Sequence, residues 1–267
     1  MNRTPSEHRQ EYEELGHTIF EGVLSESDIQ SALPIFDEII SPDTEPPVIC
    51  TNTGARRQLN SAEYCEPRLS KIGGHPAVLE TVAALVDRPF RLTRSPVPTV
   101  TYTGKAGGTP DKNWSGHVDW YSTPPGEFDS LNVLGIVHFT TITPFGGGFT
   151  LIPGSHHVVR ENLDNPELNE RMFSQNFHEF PGLEEEQEMR AKAGDVLYYH
   201  PFMVHGASDN QSDTARKVIH THYFPLLHAE HESAQRETIT TRFHSSHLGV
   251  MDEEFKELVG FRAEESK

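Results

Sequence analysis

Short strand-like runs dominate the chain from about residue 90 onward. Each run is rich in Val, Ile, Thr, Tyr and Phe, which are enriched in β-strands, and turn residues separate it from the next. No helical pattern alternates with these runs, which argues against a parallel α/β sheet. The pattern predicts a mainly β fold with flanking helices, a sandwich or jelly roll. The runs read RLTRS, VPTVTYT, GHVDWYS, LNVLGIVHFTTI, GGFTLIPGS, GDVLYYHPFMVHGAS and RKVIHTHYFP.

Two helices are marked before these runs. The first should begin after Ser25, because Asp28 three residues on completes a helix-start signal, and should run near 26–40. Pro34 lies inside it and is expected to kink the helix or end its first part. The second should begin at Pro76 and stop at the sequence DRP.

A chain of 267 residues suits one domain with a substantial core, and two full domains would be cramped. We expect a single domain over 1–267. Helices and strands would fill about 1–89, the jelly-roll core about 90–230, and a C-terminal helix would lie within about 231–267.

The charge balance limits the partners. The chain has 22 basic and 40 acidic residues, a formal net charge of -18, so its surface should repel phosphate backbones and anionic lipids. We expect neither nucleic acid nor membrane as a partner. The sequence shows no signal-peptide pattern and no long apolar span, which predicts a cytoplasmic protein. It has only two cysteines, which excludes a multi-cysteine metal site.

The stretch GHVDW places His117 and Asp119 two residues apart. On an extended strand these side chains point to the same side and could hold one metal ion. Alone, the pair favours a structural role, because such tripeptides occur by chance.

A third histidine and an arginine follow further along the chain. His205 ends one apolar run, a polar turn follows, and Arg216 begins the next run. If the two runs pair as a hairpin about Asn210 and Gln211, His205 and Arg216 fall opposite one another on one face. His200 is the main rival to His205, but it breaks this symmetry.

These four residue types suit one chemistry. Two imidazoles and a carboxylate on one side of Fe(II) leave positions open for a chelating cosubstrate and dioxygen. 2-Oxoglutarate chelates iron through its 1-carboxylate and 2-oxo group, and a guanidinium can bind its far carboxylate with a bidentate fork. The set His117, Asp119, His205 and Arg216 supplies these groups.

The ordered motifs resemble the phytanoyl-CoA dioxygenase-like family of Fe(II)- and 2-oxoglutarate-dependent oxygenases. The stretches GHVDW, GGGFTLIPGSHH, AGDVLYYHPFMVHGASDN and TARKVIHTHYF carry the resemblance, and GHTIFEGVLSESDIQ is similar to the family's opening strand and helix. The resemblance implies a double-stranded β-helix, a jelly-roll form. It also implies Fe(II), 2-oxoglutarate and O2 as cofactor and cosubstrates.

Residue by residue, the resemblance makes His117, Asp119 and His205 the iron ligands, and Arg216 the partner of the 5-carboxylate of 2-oxoglutarate. Gly154 would permit backbone geometry in a turn that other residues resist. The family often has serine where Ala207 stands. With Asp119 present, halogenation is disfavoured.

The pocket wall is less clearly marked. Aromatic residues near the motifs could contact substrate, although core packing explains each of them equally well. Thr103 or Thr101 could hydrogen-bond the cosubstrate. The aromatic candidates are Trp114, Trp120, Tyr121 and Phe149.

We therefore expect a dioxygenase that couples decarboxylation of 2-oxoglutarate to oxidation, most simply hydroxylation, of a C–H bond. The acidic surface disfavours a CoA thioester and favours a small metabolite or natural-product intermediate, including an amine-bearing one. A non-oxidative cupin-like metal-binding isomerase or ligand-binding protein is the alternative, and a catalytically silent jelly-roll module is a third. The oligomeric state stays open between monomer and homodimer.

Overall fold

The structure is a computed structural model that describes residues 3–43, 51–59, 66–105, 116–119, 132–167, 182–226 and 249–260. Within these residues the chain forms two antiparallel sheets. The larger sheet has the strand order β1-β9-β6-β11-β5-β3-β2, with β4 paired to β11, and the smaller has the order β10-β7-β8. The strands are β1 His17–Phe20, β2 Thr51–Thr53, β3 Arg56–Gln58, β4 Phe90–Leu92, β5 Val97–Thr101, β6 Val133–His138, β7 Phe149–Leu151, β8 Gln187–Glu188, β9 Val196–Tyr199, β10 His205–Ala207 and β11 Arg216–Pro225.

The two sheets face one another across an apolar layer. This layer contains Leu134, Leu197 and Val218 from the larger sheet, and Phe149 and Leu151 from the smaller. Side chains from both sheets in one cluster define the interior of a sandwich. The site described below opens from this interior.

The opposite face of the larger sheet packs against helices. Ile219 and Tyr223, which alternate with the inward residues of β11, join a second cluster that includes Phe36 and Val82 from two helices. Strand β11 therefore buries both of its faces, and this burial includes the polar side chains of His220, Thr221 and His222. The helices are α1 Pro5–Leu15, α2 Glu26–Ile39, α3 Pro67–Ser70, α4 Pro76–Leu85, α5 Ser155–Glu161 and α6 Glu253–Leu258, with a 3₁₀ turn at Lys71–Gly74.

Helix α2 begins as its start signal predicts. The side chain of Ser25 accepts a hydrogen bond from the backbone N–H of Asp28, and the Asp28 carboxylate accepts from the backbone of Ser25. The helix does not end at Pro34, although Pro34 cannot donate to the carbonyl of Gln30. Burial of Phe36 beyond the proline stabilises the last turn.

The predicted hairpin between His205 and Arg216 is wrong. Strand β10 pairs with β7, with His205 opposite Leu151, whereas β11 pairs with β5, with Arg216 opposite Thr101. The polar turn crosses from the smaller sheet to the larger one. Asn210 holds it there, because its backbone bridges Gly104 and its side chain donates to the Thr101 and Thr214 carbonyls.

The turn after β7 has the expected glycine. Gly154 adopts a φ of 73°, in the left-handed region that favours glycine, and its N–H donates to the carbonyl of Leu15. Elsewhere, none of the helices in the described ranges is long and apolar enough to cross a membrane.

Candidate metal centre

Three potential ligands converge at the edge of the sandwich interior. Nε2 of His117 lies 3.5 Å from Oδ1 of Asp119, and Nε2 of His205 lies 3.4 Å from Oδ2 of the same carboxylate. One ligand atom from each residue can be chosen so that all lie within 4.8 Å of one another. In the part of the chain that the structure describes, no other three His, Cys, Asp or Glu side chains meet in this way. Residues His117, Asp119 and His205 are called the triad below.

The backbone brings the triad together. The N–H of each of His117 and His205 donates to the carbonyl of the other, at 2.9 Å in both directions. This bridge sets the two imidazoles side by side, with ring centroids 4.3 Å apart. Asp119 lies on the same side as His117, as their spacing predicts.

Two further contacts orient the ligands. Nδ1 of His205 lies 2.9 Å from the carbonyl of Met203, which is the geometry for donating its proton there and leaving Nε2 to face the site. The hydroxyl of Tyr199 donates to Oδ2 of Asp119 at 3.0 Å. Contacts of this kind fix the tautomer of a ligating histidine and the direction of a ligating carboxylate.

The charges favour a bound cation. Burial opposes ionisation of Asp119, but the imidazoles of His205 and His117 outweigh it and hold the pKa of the carboxyl well below its usual range. Burial lowers the pKa of His205, although Asp119 acts in the opposite direction. An ionised carboxylate is the form in which Asp119 could bind a metal ion.

Phe149 lies behind the triad. Its ring stacks on His205 with centroids 4.9 Å apart and lies 4.7 Å from the ring of Tyr199. Its side chain is buried. In the described structure its contacts are to the ligand ring and to the residue that orients Asp119.

Arg216 lies deep in the interior, and not all of its hydrogen-bond donors have a partner. It is only 3% exposed, and one of its Nη atoms donates to the carbonyl of Gly147. Burial and nearby Arg56 lower the pKa of Arg216 to about 9, whereas Glu188 acts to raise it. The guanidinium therefore remains charged at neutral pH. Its Nε is buried without a hydrogen-bond partner in the described structure, as is Oγ1 of Thr101 directly opposite. Unsatisfied buried donors beside a cation are what a bound carboxylate would satisfy.

The comparisons with known proteins give the family of the chain and support its fold. The family model described as phytanoyl-CoA dioxygenase matches residues 12–218. The chain belongs to this family. The predicted membership is thereby confirmed. No curated protein gave a significant sequence match.

Similar solved structures support the fold. The α-ketoglutarate-dependent carbocyclase SnoK from nogalamycin biosynthesis is 21% identical, with a TM-score of 0.63 over 84% of this chain and 87% of that chain. The epimerase SnoN from the same biosynthesis is 17% identical, with a TM-score of 0.62 over 83% of both chains. HygX from Streptomyces hygroscopicus, solved with nickel, 2-oxoglutarate and hygromycin B, is 18% identical, with a TM-score of 0.55 over 83% of this chain and 87% of that chain. The predicted jelly roll is confirmed.

As a member of the phytanoyl-CoA dioxygenase family, the protein is an enzyme of the iron- and 2-oxoglutarate-dependent oxygenase type. Its residues fit Fe(II), 2-oxoglutarate and O2. The triad is a two-histidine, one-carboxylate set. The unpartnered donors of Arg216 and Thr101 are of the kind that a buried carboxylate satisfies.

The hydroxyls of Thr103 and Ser208, near the predicted cosubstrate site, already form hydrogen bonds within the protein. Thr103 is exposed and donates to the carbonyl of Ser212, whereas Thr101 faces the interior beside Arg216. Where the family often has serine, Ala207 stands, and the hydroxyl of Ser208 donates to Glu188 at 2.5 Å.

The remaining candidates fall into two groups. Trp114, Trp120 and Tyr121 lie outside the described residues. Two other histidines, His200 and His138, are not part of the triad: His200 is 3.0 Å from a guanidinium nitrogen of Arg160. His138 is buried with its Nδ1 against the carbonyl of Asp195.

Sequence reasoning missed Tyr199 and Arg56. In β9 the residues alternate, so Tyr198 packs outward in the helix-covered cluster while Tyr199 faces the triad. The period of two could have separated the two tyrosines. Arg56 lies on a three-residue strand, in which no apolar alternation marks a face.

Proposed function

We propose that this protein oxidises, most simply by hydroxylation, a C–H bond of a small metabolite or natural-product intermediate. Fe(II) at the triad, with 2-oxoglutarate and O2, would supply the oxidising power, releasing succinate and CO2. The observation that carries the proposal is the pairing of the triad with a buried, partly unpartnered Arg216 in one interior.

Each triad residue has a distinct task in this proposal. His117 and His205 would offer Nε2, and the Met203 carbonyl would hold the His205 ring in the required tautomer. Asp119 would offer its carboxylate, with the Tyr199 hydroxyl restricting its rotation. Three ligands on one side leave the other positions for exchangeable groups.

Arg216 would select a cosubstrate whose two carboxylates are as far apart as those of 2-oxoglutarate. Its guanidinium would bind the far carboxylate of 2-oxoglutarate, and Thr101 would donate to the same group. The low exposure of Arg216 strengthens this pairing, because a charge-assisted hydrogen bond gains strength away from water. Phe149 would form an apolar wall and support the His205 ring.

The fate of the substrate carbon is a separate matter. SnoN is described as an epimerase and SnoK as a carbocyclase. Hydroxylation, epimerisation and ring closure all begin with removal of a hydrogen atom from carbon and differ in what that carbon then receives. Incorporation of ¹⁸O from labelled O2 into the product would support hydroxylation, and its absence would contradict it.

The alternative is a non-oxidative cupin-like isomerase or ligand-binding protein that uses the same triad. Such a protein has no need of a buried cation placed for a second carboxylate. Arg216, with its unpartnered Nε, therefore favours the oxygenase.

The test compares Arg216 with its neighbour. Arg216→Gln should weaken 2-oxoglutarate binding by about 10- to 100-fold, the value of one charged hydrogen-bonded pair. Calorimetry with Ni(II) in place of iron measures this binding without turnover. Lys217→Gln is the matched control, because Lys217 pairs with Asp37 on the outer face.

Aerobic incubation of the iron-loaded wild type with 2-oxoglutarate should yield succinate, which NMR detects. Absence of binding and succinate in the wild type, or equal losses in both variants, would contradict the proposal.

A further inference from the structure

A second arginine lies in the same row of the sheet as Arg216. In the pairing of β3 with β5, Arg56 is opposite Thr101, and in the pairing of β5 with β11, Arg216 is opposite the same residue. Directly opposed residues project to the same face of a sheet. Two guanidiniums therefore flank Thr101 on the interior face.

Arg56 has a buried donor without a hydrogen-bond partner among the described residues. Its Nε is buried without a hydrogen bond, and no ion pair joins it to a described carboxylate. By contrast, its neighbour Arg57 donates to the carbonyls of Pro42 and Gly54 on the other face. A guanidinium nitrogen that is buried without a partner costs stability, and a bound anion would offset that cost.

The surroundings place Arg56 beside the triad. Burial lowers the pKa of Arg56, and the carboxylate of Asp119 and the Tyr199 hydroxyl act against this. Arg56 also acts on Arg216, lowering the pKa of that residue. Its guanidinium thus lies within electrostatic range of both the metal ligands and the cosubstrate anchor.

Arg56 belongs to the more accessible side of the site. It is partly exposed, as are the side chains of His117 and Asp119 at 37% and 27%, whereas that of His205 is 5% exposed. Within the described residues, Arg56 is more exposed than Arg216. It would therefore remain accessible to a primary substrate after the cosubstrate is bound.

The anions already accounted for do not match Arg56. 2-Oxoglutarate has two carboxylates, and the proposed function assigns one to the metal and the other to Arg216. The carboxylate of Glu188 accepts from the Ser208 hydroxyl and from the backbone N–H groups of Phe145 and Gly148. Besides the metal and Arg216, Arg56 is a third cationic group that could bind a carboxylate, and 2-oxoglutarate has no third carboxylate to offer it.

We propose that Arg56 binds a carboxylate of the primary substrate, so that the enzyme acts on carboxylic acids held with their anionic end beside β3. This inference rests on the proposed function, because it takes Arg216 as the cosubstrate anchor. It keeps the expected small-molecule substrate but gives it a carboxylate in place of the amine that the acidic composition had left open. The net charge of -18 describes the whole chain, whereas two guanidiniums with unpartnered Nε atoms lie in this interior.

The experiment uses paired probes on the full protein loaded with Ni(II) and saturating 2-oxoglutarate. The probes are acetate, benzoate and cyclohexanecarboxylate, each beside its primary amide, with binding followed by calorimetry. At least one acid should bind about tenfold or more tightly than its amide, because only the acid forms charge-assisted hydrogen bonds. Arg56→Gln should remove this preference, and Arg56→Lys should retain part of it.

Arg57→Gln is the matched control, because it removes an equal charge from the same strand on the opposite face. It should keep the preference of the wild type for acids. The proposal fails if no acid binds better than its amide in the wild type, or if Arg57→Gln and Arg56→Gln lose the preference equally.

The affinity for 2-oxoglutarate separates this inference from the proposed function. Arg56→Gln should leave the Kd for 2-oxoglutarate within about twofold of the wild type. A large loss would make Arg56 a cosubstrate anchor and overturn the inference. Failure of the wild type to bind 2-oxoglutarate would overturn the proposed function itself. The ligand-free Arg56→Gln protein should also melt at a higher temperature than the wild type, because the substitution removes the guanidinium whose Nε is buried without a partner.

Discussion

Two clusters of closely packed histidines in the described part of the chain differ in the charged residue that lies against them. In the triad the carboxylate of Asp119 lies between two imidazoles whose ring centroids are 4.3 Å apart. The second histidine cluster consists of His156, His157, His200 and Arg160, with ring centroids 3.9 Å apart between His156 and His157 and 5.0 Å apart between His156 and His200. There the charged neighbour is a guanidinium, 3.0 Å from His200.

The difference shows that crowded imidazoles do not by themselves make a metal site. A carboxylate attracts a cation and offers it a ligand, whereas a guanidinium repels it. Burial together with His157 and Arg160 lowers the pKa of His156 to about 4. His156 is therefore kept neutral and serves packing, with its Nε2 lying 3.2 Å from the carbonyl of Glu13.

Removal of the central carboxylate should have the largest effect on the difference between the two clusters. Asp119→Asn keeps the shape of the side chain but removes its charge, and should weaken Fe(II) binding by at least about 100-fold, beyond the usual effect of an outer contact. Competition with a chromophoric chelator measures this affinity. His156→Gln is the control, and an equal loss there would contradict the division between the clusters.

The second histidine cluster should reveal itself through acid sensitivity. The pKa of His156 is lower in the folded state than in the unfolded chain, so the unfolded state gains the proton first as pH falls below about 6.5, and stability declines until about pH 4. His156→Gln should abolish this contribution, worth about 2 kcal/mol at about pH 4.5. Urea denaturation of both proteins at neutral and acidic pH gives the comparison. Parallel declines would refute the assignment of His156 as a buried neutral group.

A smaller effect should come from the hydroxyl that orients the triad. Tyr199→Phe removes the donor to Asp119 and keeps the ring packed against His205 and Phe149. Fe(II) affinity should fall by about tenfold, at the lower end for an outer contact. Tyr198→Phe is the control, because the Tyr198 hydroxyl bonds to Thr81 and Val78 on the outer face. Unchanged affinity in Tyr199→Phe would show that packing alone orients Asp119.

The site was more predictable than the path of the chain around it. His117 and Asp119 follow from a period of two, and His205 and Arg216 follow from the motif order. Their separation also fits a hairpin, however, and local spacing cannot distinguish a hairpin from a turn that crosses between sheets. The contacts of Asn210 with Gly104 and Gly146 decide this, and they join residues distant in sequence.

The helices were predictable because their signals are local. Ser25 with Asp28 and the proline at the start of α4 mark helix ends by contacts within one turn. Arg56 was not predictable, because a three-residue strand has no period of its own. Its role depends on the register of β3 against β5, which is a tertiary feature.

The central claim is that the triad, and not the second histidine cluster, binds Fe(II) together with 2-oxoglutarate. Anaerobic addition of both to the protein, followed by visible spectroscopy, tests this most directly. We expect the weak charge-transfer band of the chelate in the wild type and in His200→Ala, and its loss in His205→Ala with the fold retained. A wild type without the band, or a band that survives in His205→Ala and disappears in His200→Ala, would contradict the account.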